Sequence, residues 1–311
     1  MSKTILVTGC CGFIGSNICE FLLNKKYRII GIDNFLTGRK KNIEIFIKNK
    51  NFKFYEYDVL NPIKLNEKID KILHFASTAS PVDYLKYPIE TLRIGSLGTE
   101  NILNLGLEKN AVVLVASTSE IYGDPTEHPQ KENYFGNVNP IGPRGVYDEA
   151  KRYLEALTMA YHQKKGLDTK IVRIFNTYGP KMRINDGRAI PNFINQVIDN
   201  KDITVYGDGF QTRSFCYITD TTEGIYKALN SNYNSPINIG NPVEHSINDL
   251  IDLIKKQIPS SSKKVYKDLP ENDPKVRKPD ISLAKRILDW NPKITLEEGL
   301  VKTINYFYKY K

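Results

Sequence analysis

The sequence contains little that would build a disulfide framework, a metal site or a membrane span. Its 311 residues include four cysteines, four histidines and one tryptophan. The cysteines lack the spacing of zinc ligands or of a disulfide scaffold, so we expect reduced thiols in the cytoplasm and no bound metal. No run of about 18 apolar residues occurs, and strand-like sequence begins at Lys3, which predicts neither a membrane span nor a signal peptide.

Charge is not concentrated in any one part of the chain. The 44 basic residues exceed the 35 acidic ones and give a net charge of +9, but no basic tail is present. Dispersed charge is typical of a solvated surface and does not indicate nucleic-acid binding, whereas an anionic small-molecule substrate is consistent with it. With 41% hydrophobic residues, the composition predicts a globular protein with one large domain and a smaller lobe.

A glycine-rich turn follows the first short apolar run. Thr4 to Val7 leads into GCCGFIG at residues 9–15, and an amphipathic stretch comes next. This context is typical of a dinucleotide site, because glycines allow a tight turn against the pyrophosphate and the helix N-terminus supplies free N–H groups. Asp33 ends the next apolar run, where its carboxylate would accept from the adenosine ribose and repel a 2′-phosphate. NAD is therefore favoured over NADP, with Arg39 and Lys40 as the counter-argument.

Further short apolar runs predict a parallel sheet. They span residues 52–57, 71–75 and 111–116, and polar or helical sequence separates them. The alternation predicts an α/β fold with a doubly wound, Rossmann-type parallel sheet. Ligands of such sheets bind beyond the carboxyl ends of the strands. The predicted cofactor-binding residues are Gly9, Gly12, Phe13, Ile14, Gly15, Asp33, Asn34, Asp58, Val59, Ala76, Tyr147 and Lys151.

The chain changes character after Gly179, where proline and glycine interrupt the alternation of strands and helices. We expect a smaller C-terminal α+β lobe that binds the substrate. Residues 1–178 with about 212–239 are predicted to form the NAD-binding domain, and about 179–211 with 240–311 the substrate lobe.

Tyr147 and Lys151 lie one turn apart in a segment with few helix breakers. A free tyrosine has a pKa of about 10, and a nearby cation lowers it because the cation stabilises the phenolate. A bound oxidised nicotinamide would act in the same direction. The spacing therefore indicates a catalytic base, although an ordinary surface pair is the alternative. Ser117 to Glu120 follow a predicted strand and place hydroxyls and a carboxylate where substrate and nicotinamide would meet.

Six motifs lie in order across nearly the whole chain: TGCCGFIGS, STSEIYGDP, NPIGPRGVYDEAKR, RIFNTYGP, TVYGDGFQTRSFCYITD and RKPDIS. They resemble the extended short-chain dehydrogenase/reductases and, within these, the UDP-glucuronate decarboxylases, also called UDP-xylose synthases. The resemblance implies that Tyr147 is the base for the hydroxyl on carbon 4 of the sugar. It implies that Lys151 tunes this base and orients the nicotinamide ribose, and that Thr118 or Ser119 relays the proton.

The resemblance also implies residues for the substrate. Glu120 and Arg277 would contact the sugar and its carboxylate, and the residues that would read the nucleotide end are Asn176, Tyr206 and Arg213. A homodimer is implied as well, since family members commonly pack helices of the nucleotide domain together.

The sequence departs from the family pattern at three places. Gly95 stands where asparagine is usual, Ser77-Thr78 where Cys-Pro is usual, and Gly145-Val146 where Ser-Cys precedes the tyrosine. None of these departures removes an acid, a base or a charge.

The implied reaction converts UDP-glucuronate to UDP-xylose with NAD. Oxidation at carbon 4 creates a ketone β to the carboxylate, which supplies the electron sink for loss of carbon dioxide, and re-reduction closes the cycle. Four alternatives stay open: a decarboxylase that releases the 4-keto intermediate, a UDP-sugar 4-epimerase, a 4,6-dehydratase and a non-catalytic NAD-binding regulator. Dehydratases of the family usually carry Asp-Glu where this chain has Ser119-Glu120, and regulators tend to lose the tyrosine and lysine.

Overall fold

Mainly apolar segments form the central strands in a computed structural model that describes residues 2–268 and 276–310. The strands in these ranges are β1 (Thr4–Thr8), β2 (Arg28–Asp33), β3 (Phe52–Glu56), β4 (Lys71–His74), β5 (Val112–Thr118), β6 (Thr169–Ile174), β7 (Thr177–Tyr178), β8 (Ile203–Tyr206), β9 (Thr212–Ser214), β10 (Cys216–Tyr217), β11 (Pro236–Ile239), β12 (Glu244–Ser246) and β13 (Lys264–Lys267). The helices are α1 (Phe13–Asn24), α2 (Pro81–Lys86), α3 (Pro88–Arg93), α4 (Thr99–Lys109), α5 (Gly145–Lys165), α6 (Ala189–Ile198), α7 (Ile218–Leu229), α8 (Ile247–Gln257), α9 (Ser282–Leu288) and α10 (Leu296–Tyr310). Within the described ranges, no helix combines the length and apolar composition needed to cross a membrane.

Seven strands form one parallel sheet in the order β11-β6-β5-β4-β1-β2-β3. The prediction of a doubly wound parallel sheet is confirmed. The chain winds outward from β1 through β2 and β3, then returns to β4 on the other side of β1. The order therefore reverses between β1 and β4, and the carboxyl ends of these strands border the crevice in which such sheets bind ligands.

Alternate residues of each central strand enter different cores. Ile5 and Val7 share a core with residues of α1, α7 and α9, whereas Leu6 belongs to the core that includes α4 and α5. Successive side chains of a strand point to opposite faces, so a strand covered on both sides must be apolar at nearly every position. This requirement explains the nearly continuous burial of β1, β4 and β5.

A separate core lies in the C-terminal part of the chain. Residues of α6, α8 and α10 pack there with β8, as expected for a smaller α+β lobe. A capping box starts α8, because Ser246 Oγ accepts from the Asp249 N–H at 3.0 Å while the Asp249 carboxylate accepts from the Ser246 N–H at 3.2 Å. β11 pairs with β6 in the main sheet. The domain division itself stays a prediction, and its segment 269–275 lies outside the described residues.

Gly95 lies in a π-helical turn, Ile94–Gly98, between α3 and α4. A Cβ atom at Gly95 would stand 2.8 Å from the Cβ atom of Ala150 and 2.8 Å from its carbonyl oxygen. The missing side chain thus lets the turn pack directly on α5, one residue before Lys151. The departure from the family pattern therefore has a steric reason in this chain.

We expect Gly95→Ala to destabilise the protein by about 1–3 kcal/mol, because the added methyl group must displace the backbone of α5. That cost exceeds the gain in helix propensity, which is about 1 kcal/mol. Urea unfolding measures the change. Gly98→Ala is the matched control in the same turn, since its Cβ would meet mainly a Val59 methyl group at 3.1 Å. Equal losses in the two variants would contradict the steric explanation.

Candidate active site

The glycine turn connects β1 to α1 at the centre of the sheet. Gly9 has a φ of +68°, which favours glycine, and a Cβ atom at Gly15 would stand 2.0 Å from the Gly9 carbonyl oxygen. The Gly12 N–H donates to the same carbonyl at 3.0 Å. Helix α1 begins at Phe13 and has neither a capping side chain nor an acidic residue in its first turn. Its N–H groups and positive dipole end therefore fit the pyrophosphate of a dinucleotide.

Asp33 ends β2 beside this turn. Its carboxylate accepts from the backbone N–H groups of Cys11 at 2.8 Å and Phe35 at 2.9 Å. Burial raises the pKa of Asp33, and the two N–H groups act against that rise. Arg39 is one of the two basic residues that argue against NAD and in favour of NADP. It donates to the carbonyl oxygens of residues 181–182 at 2.9 and 3.1 Å. Asp33 stands where the adenosine ribose would bind, and Arg39 is hydrogen-bonded to another loop instead of facing a 2′-phosphate. Both features fit NAD.

The remaining cofactor candidates lie along the same strand ends. The Asn34 amide donates to the Asp58 carboxylate at 3.1 Å, and the Val59 carbonyl accepts from the Asn101 amide at 2.9 Å. The Ala76 N–H donates to the Thr8 hydroxyl at 3.2 Å. Ile14 lies in the first turn of α1, and the contacts of all these residues with a cofactor stay a prediction.

Cys10 and Cys11 lie side by side within the turn. Their thiols and the Asp33 carboxylate all lie within 4.8 Å of one another, and all three residues are buried. Three ligands are one fewer than a structural zinc site uses, and both oxygens of Asp33 already accept backbone N–H groups. The hydrogen bond to Cys11 and burial raise the pKa of Cys10, which disfavours the thiolate that a metal needs. The absence of a metal stays a prediction.

Tyr147 and Lys151 lie on the buried face of α5. The Lys151 ammonium stands 5.8 Å from the centroid of the Tyr147 ring and donates to the Ala116 carbonyl at 2.8 Å. Burial raises the pKa of the Tyr147 phenol, the charge of Glu120 adds to the rise, and the hydrogen bond to Thr118 acts against it. The lowering by Lys151 that the spacing predicts is absent from this balance, in which desolvation is the largest contribution. Burial also lowers the pKa of Lys151 to about 8.

The proposed proton relay lies where β5 ends. β5 is longer than predicted and includes Ser117 and Thr118, while Ser119 begins the 3₁₀ turn Ser119–Tyr122. The Thr118 hydroxyl accepts from the Glu120 N–H at 3.3 Å, and Ser119 is buried. Of the two hydroxyls, that of Thr118 is the one whose hydrogen bond lowers the pKa of Tyr147.

Glu120 is clamped between two arginines. Arg277 Nη1 donates to Glu120 Oε1, and Arg144 Nη2 donates to Glu120 Oε2. Arg277 also donates to the Gly123 carbonyl at 3.0 Å. Burial raises the pKa of Glu120, but the charges of Arg277 and Arg144 outweigh it and lower that pKa to about 2. Glu120 is thus an anion at neutral pH, and the predicted pair of Glu120 and Arg277 lies together although 157 residues separate them.

Comparisons with known proteins agree with this geometry. The family model described as GDP-mannose 4,6 dehydratase matches residues 6–303. UDP-glucuronic acid decarboxylase 1 of Xenopus tropicalis is 47% identical over 307 residues, which are 99% of this chain and 72% of that protein. UDP-glucuronic acid decarboxylase 1 of Arabidopsis thaliana is 46% identical over 303 residues, 97% of this chain and 69% of that protein. The chain belongs to the UDP-glucuronic acid decarboxylase family.

Solved structures of related sugar-nucleotide enzymes match the decarboxylase-family fold of this chain. UDP-glucuronic acid 4-epimerase from Bacillus cereus, in complex with UDP-glucuronic acid and NAD, has a TM-score of 0.88 at 31% identity and covers 99% of each chain. UDP-glucose 4-epimerase from Thermotoga maritima, with UDP-glucose, has a TM-score of 0.91 at 27% identity and the same coverage. The resemblance inferred from the motifs is confirmed.

The predicted nucleotide-reading residues of this family member lie in the C-terminal half. Tyr206 ends β8 and is exposed, and its carbonyl accepts from the Gln211 amide at 2.5 Å. Arg213 lies on β9 and donates to the Thr212 carbonyl at 2.8 Å, while Asn176 follows β6 and is half-buried. Their contact with a nucleotide stays a prediction.

Sequence reasoning missed three side chains beside Tyr147. Tyr84 from α2 stacks on it, with ring centroids 5.2 Å apart and planes 9° from parallel. Arg144 and Asp148 flank it in the motif NPIGPRGVYDEAKR, in which only the tyrosine and the lysine have a predicted role. The motif itself was the available signal for these two residues, whereas nothing in the sequence links α2 to Tyr147.

Asp148 is a buried carboxyl at the start of α5. Its Oδ1 atom has no hydrogen-bond partner within the described part of the chain. Burial and then the charge of Glu120 raise the pKa of Asp148 to about 7, against the charges of Arg144 and Arg277. The folded protein therefore keeps a proton on this carboxyl at pH values where the unfolded chain releases it.

We expect Asp148→Asn to flatten the pH dependence of stability between about pH 4 and 7. In this window the folded protein binds the proton more tightly than the unfolded chain, so stability falls as pH rises towards the folded-state pKa of about 7. Urea unfolding at both ends of the window measures the slope. An unchanged slope in Asp148→Asn would rule out this assignment.

Proposed function

We propose that the chain is an NAD-dependent UDP-glucuronate decarboxylase that forms UDP-xylose. The observation that carries the proposal is the convergence of Glu120 and Arg277 at the end of β5, where Thr118 reaches Tyr147. The names of the two relatives support the reaction, and the Bacillus cereus epimerase supports binding of UDP-glucuronic acid and NAD on this fold.

NAD fits the residues around the glycine turn. The free N–H groups of α1 would hold its pyrophosphate, Asp33 its adenosine ribose and Lys151 its nicotinamide ribose. When bound, the nicotinamide supplies the reversible hydride exchange that gives the sugar a transient ketone at carbon 4.

Tyr147 would take the proton from the carbon-4 hydroxyl and return it later. To accept that proton, Tyr147 must first be ionised: the hydrogen bond to Thr118 lowers its pKa against the rise caused by burial, and the positive charge of a bound oxidised nicotinamide would lower it further. Thr118 hydrogen-bonds to this phenol and links it to the Glu120 backbone.

Arg277 would bind the sugar carboxylate. The residue is 4% exposed, and its Nε atom has no hydrogen-bond partner among residues 2–268 and 276–310. A substrate carboxylate would satisfy that donor, because a guanidinium matches a carboxylate in geometry and charge. Arg277 thus orients the group that the reaction removes.

A 4,6-dehydratase is disfavoured because Ser119 stands where dehydratases of the family usually carry an aspartate, and Glu120 does not replace that acid. Such an enzyme needs an acid that donates a proton to the leaving hydroxyl at neutral pH. The pKa of Glu120 is lowered to about 2, so this carboxyl holds no proton there. The intact pair of Tyr147 and Lys151 also disfavours a non-catalytic regulator.

We also propose a cytoplasmic homodimer. All four cysteines are free thiols, as expected in a reducing compartment. Apolar side chains of α2 and α3 that are at least two-fifths exposed support a helical interface; they are Val82, Leu85, Ile89 and Leu92. Light scattering of the purified protein should give twice the mass of the 35.5 kDa chain.

Purified protein with NAD and UDP-glucuronate should release carbon dioxide and UDP-xylose in equal amounts, without net NADH. Stoichiometric NADH would instead indicate release of the 4-keto intermediate. UDP-galacturonate without carbon dioxide would identify a 4-epimerase and refute the proposal.

Tyr147→Phe should lower kcat by roughly a hundredfold or more while NAD binding persists, because only the proton acceptor is removed. Rate assays and NAD titration measure the two effects. Tyr161→Phe is the matched control on the same helix, since its hydroxyl donates to Asn104 at 2.8 Å. Normal turnover by Tyr147→Phe would show that another group is the base.

A further inference from the structure

We propose that Arg144 is a positioning residue that holds Glu120 in place while Arg277 binds the substrate carboxylate. The inference rests on the proposed function, because it requires a sugar that carries a carboxylate. Its starting point is the geometry of the clamp, in which each oxygen of Glu120 contacts a different arginine.

Without Arg144, Glu120 and Arg277 would pair with each other alone. A guanidinium and a carboxylate form a closed bidentate pair when nothing else holds either group, and little water competes at this site. The side chains of Glu120 and Arg277 are 14% and 5% exposed. A substrate carboxylate would then have to displace Glu120 from Arg277. By binding the second oxygen, Arg144 keeps Glu120 on a single donor of Arg277.

The net charge of Glu120, Arg277 and Arg144 supports the same inference. Two arginines and one carboxylate leave a net positive charge, which an entering carboxylate neutralises. Glu120 and Arg277 alone are already neutral and would attract an anion weakly. Asp148 is only partly ionised at neutral pH, because its pKa is about 7. Arg144 therefore contributes the charge that makes the site specific for an acidic sugar.

The backbone anchors Arg144 to the helix that carries the base. The Arg144 carbonyl accepts from the N–H groups of Tyr147 at 3.0 Å and Asp148 at 3.2 Å. Its guanidinium, about one-fifth exposed, reaches from there to Glu120. The position of Glu120 is thus tied to the first turn of α5, and so is the phenol of Tyr147.

The test compares Arg144→Met with Arg152→Met. Arg152 lies two turns further along α5 and donates to the carbonyls of Ile121 and Phe135 at 3.0 and 2.8 Å, without contacting Glu120. By calorimetry with NAD present, Arg144→Met should weaken UDP-glucuronate binding roughly tenfold or more and UDP-glucose binding by less than about twofold. Arg152→Met should affect both ligands equally. Equal losses for both sugars in Arg144→Met would overturn the inference.

A double-mutant cycle separates positioning from general structural support. In a Glu120→Gln background, Arg144→Met should weaken UDP-glucuronate binding by less than about twofold further, because the carboxylate through which Arg144 acts is gone. Arg144→Lys should restore part of the wild-type preference for the acidic sugar. If the losses of UDP-glucuronate affinity from the two substitutions multiply in the double variant, the residues act independently and the inference is refuted.

The two proposals fail in different ways. Protein that binds UDP-glucuronate but releases no carbon dioxide refutes the decarboxylase, and the comparison of the two sugars still decides the role of Arg144. If the Arg144→Met variant decarboxylates normally and keeps its preference for UDP-glucuronate, only the role of Arg144 is refuted.

Discussion

A buried carboxylate cannot stay ionised without cations beside it, and this constraint organises the site. Desolvation alone would protonate Glu120, and two arginines from distant parts of the chain prevent it. One of them precedes the catalytic helix, and the other lies near the end of the chain. The loops that carry both arginines must therefore be held closely against the end of β5.

Hydrogen bonds fasten the Arg277 loop to the main sheet. Gln130, which is fully buried, exchanges backbone and side-chain hydrogen bonds of 2.8–2.9 Å with residues 278–280. Asn238 at the sheet edge donates to Gln130 and Asp280 at 3.0 and 3.1 Å. Because these donors and acceptors are buried, each lost bond would leave an unsatisfied polar group. These hydrogen bonds thus hold the loop of Arg277 firmly against the main sheet.

Helix α5 links the cofactor side to the substrate side. Its buried face carries Tyr147 and Lys151, Gly95 packs on it without a side chain, and the Arg144 backbone closes its first turn. Local spacing in the sequence predicted the first pair, since residues one turn apart share a helix face. The high pKa of the phenol could not be predicted that way, because it depends on burial by elements far apart in the chain.

The sequence by itself determined the first five strands of the parallel sheet, the glycine turn with Asp33, and the family, because these depend on local periodicity and on short motifs. Apolar runs buried on both faces and glycines at a tight turn leave few alternative folds. Only the tertiary structure decided that Arg144 shares Glu120 with Arg277, that Tyr84 stacks on Tyr147 and that Asp148 is buried. Those contacts join segments far apart in the chain, and desolvation, which sets their energies, depends on the assembled fold.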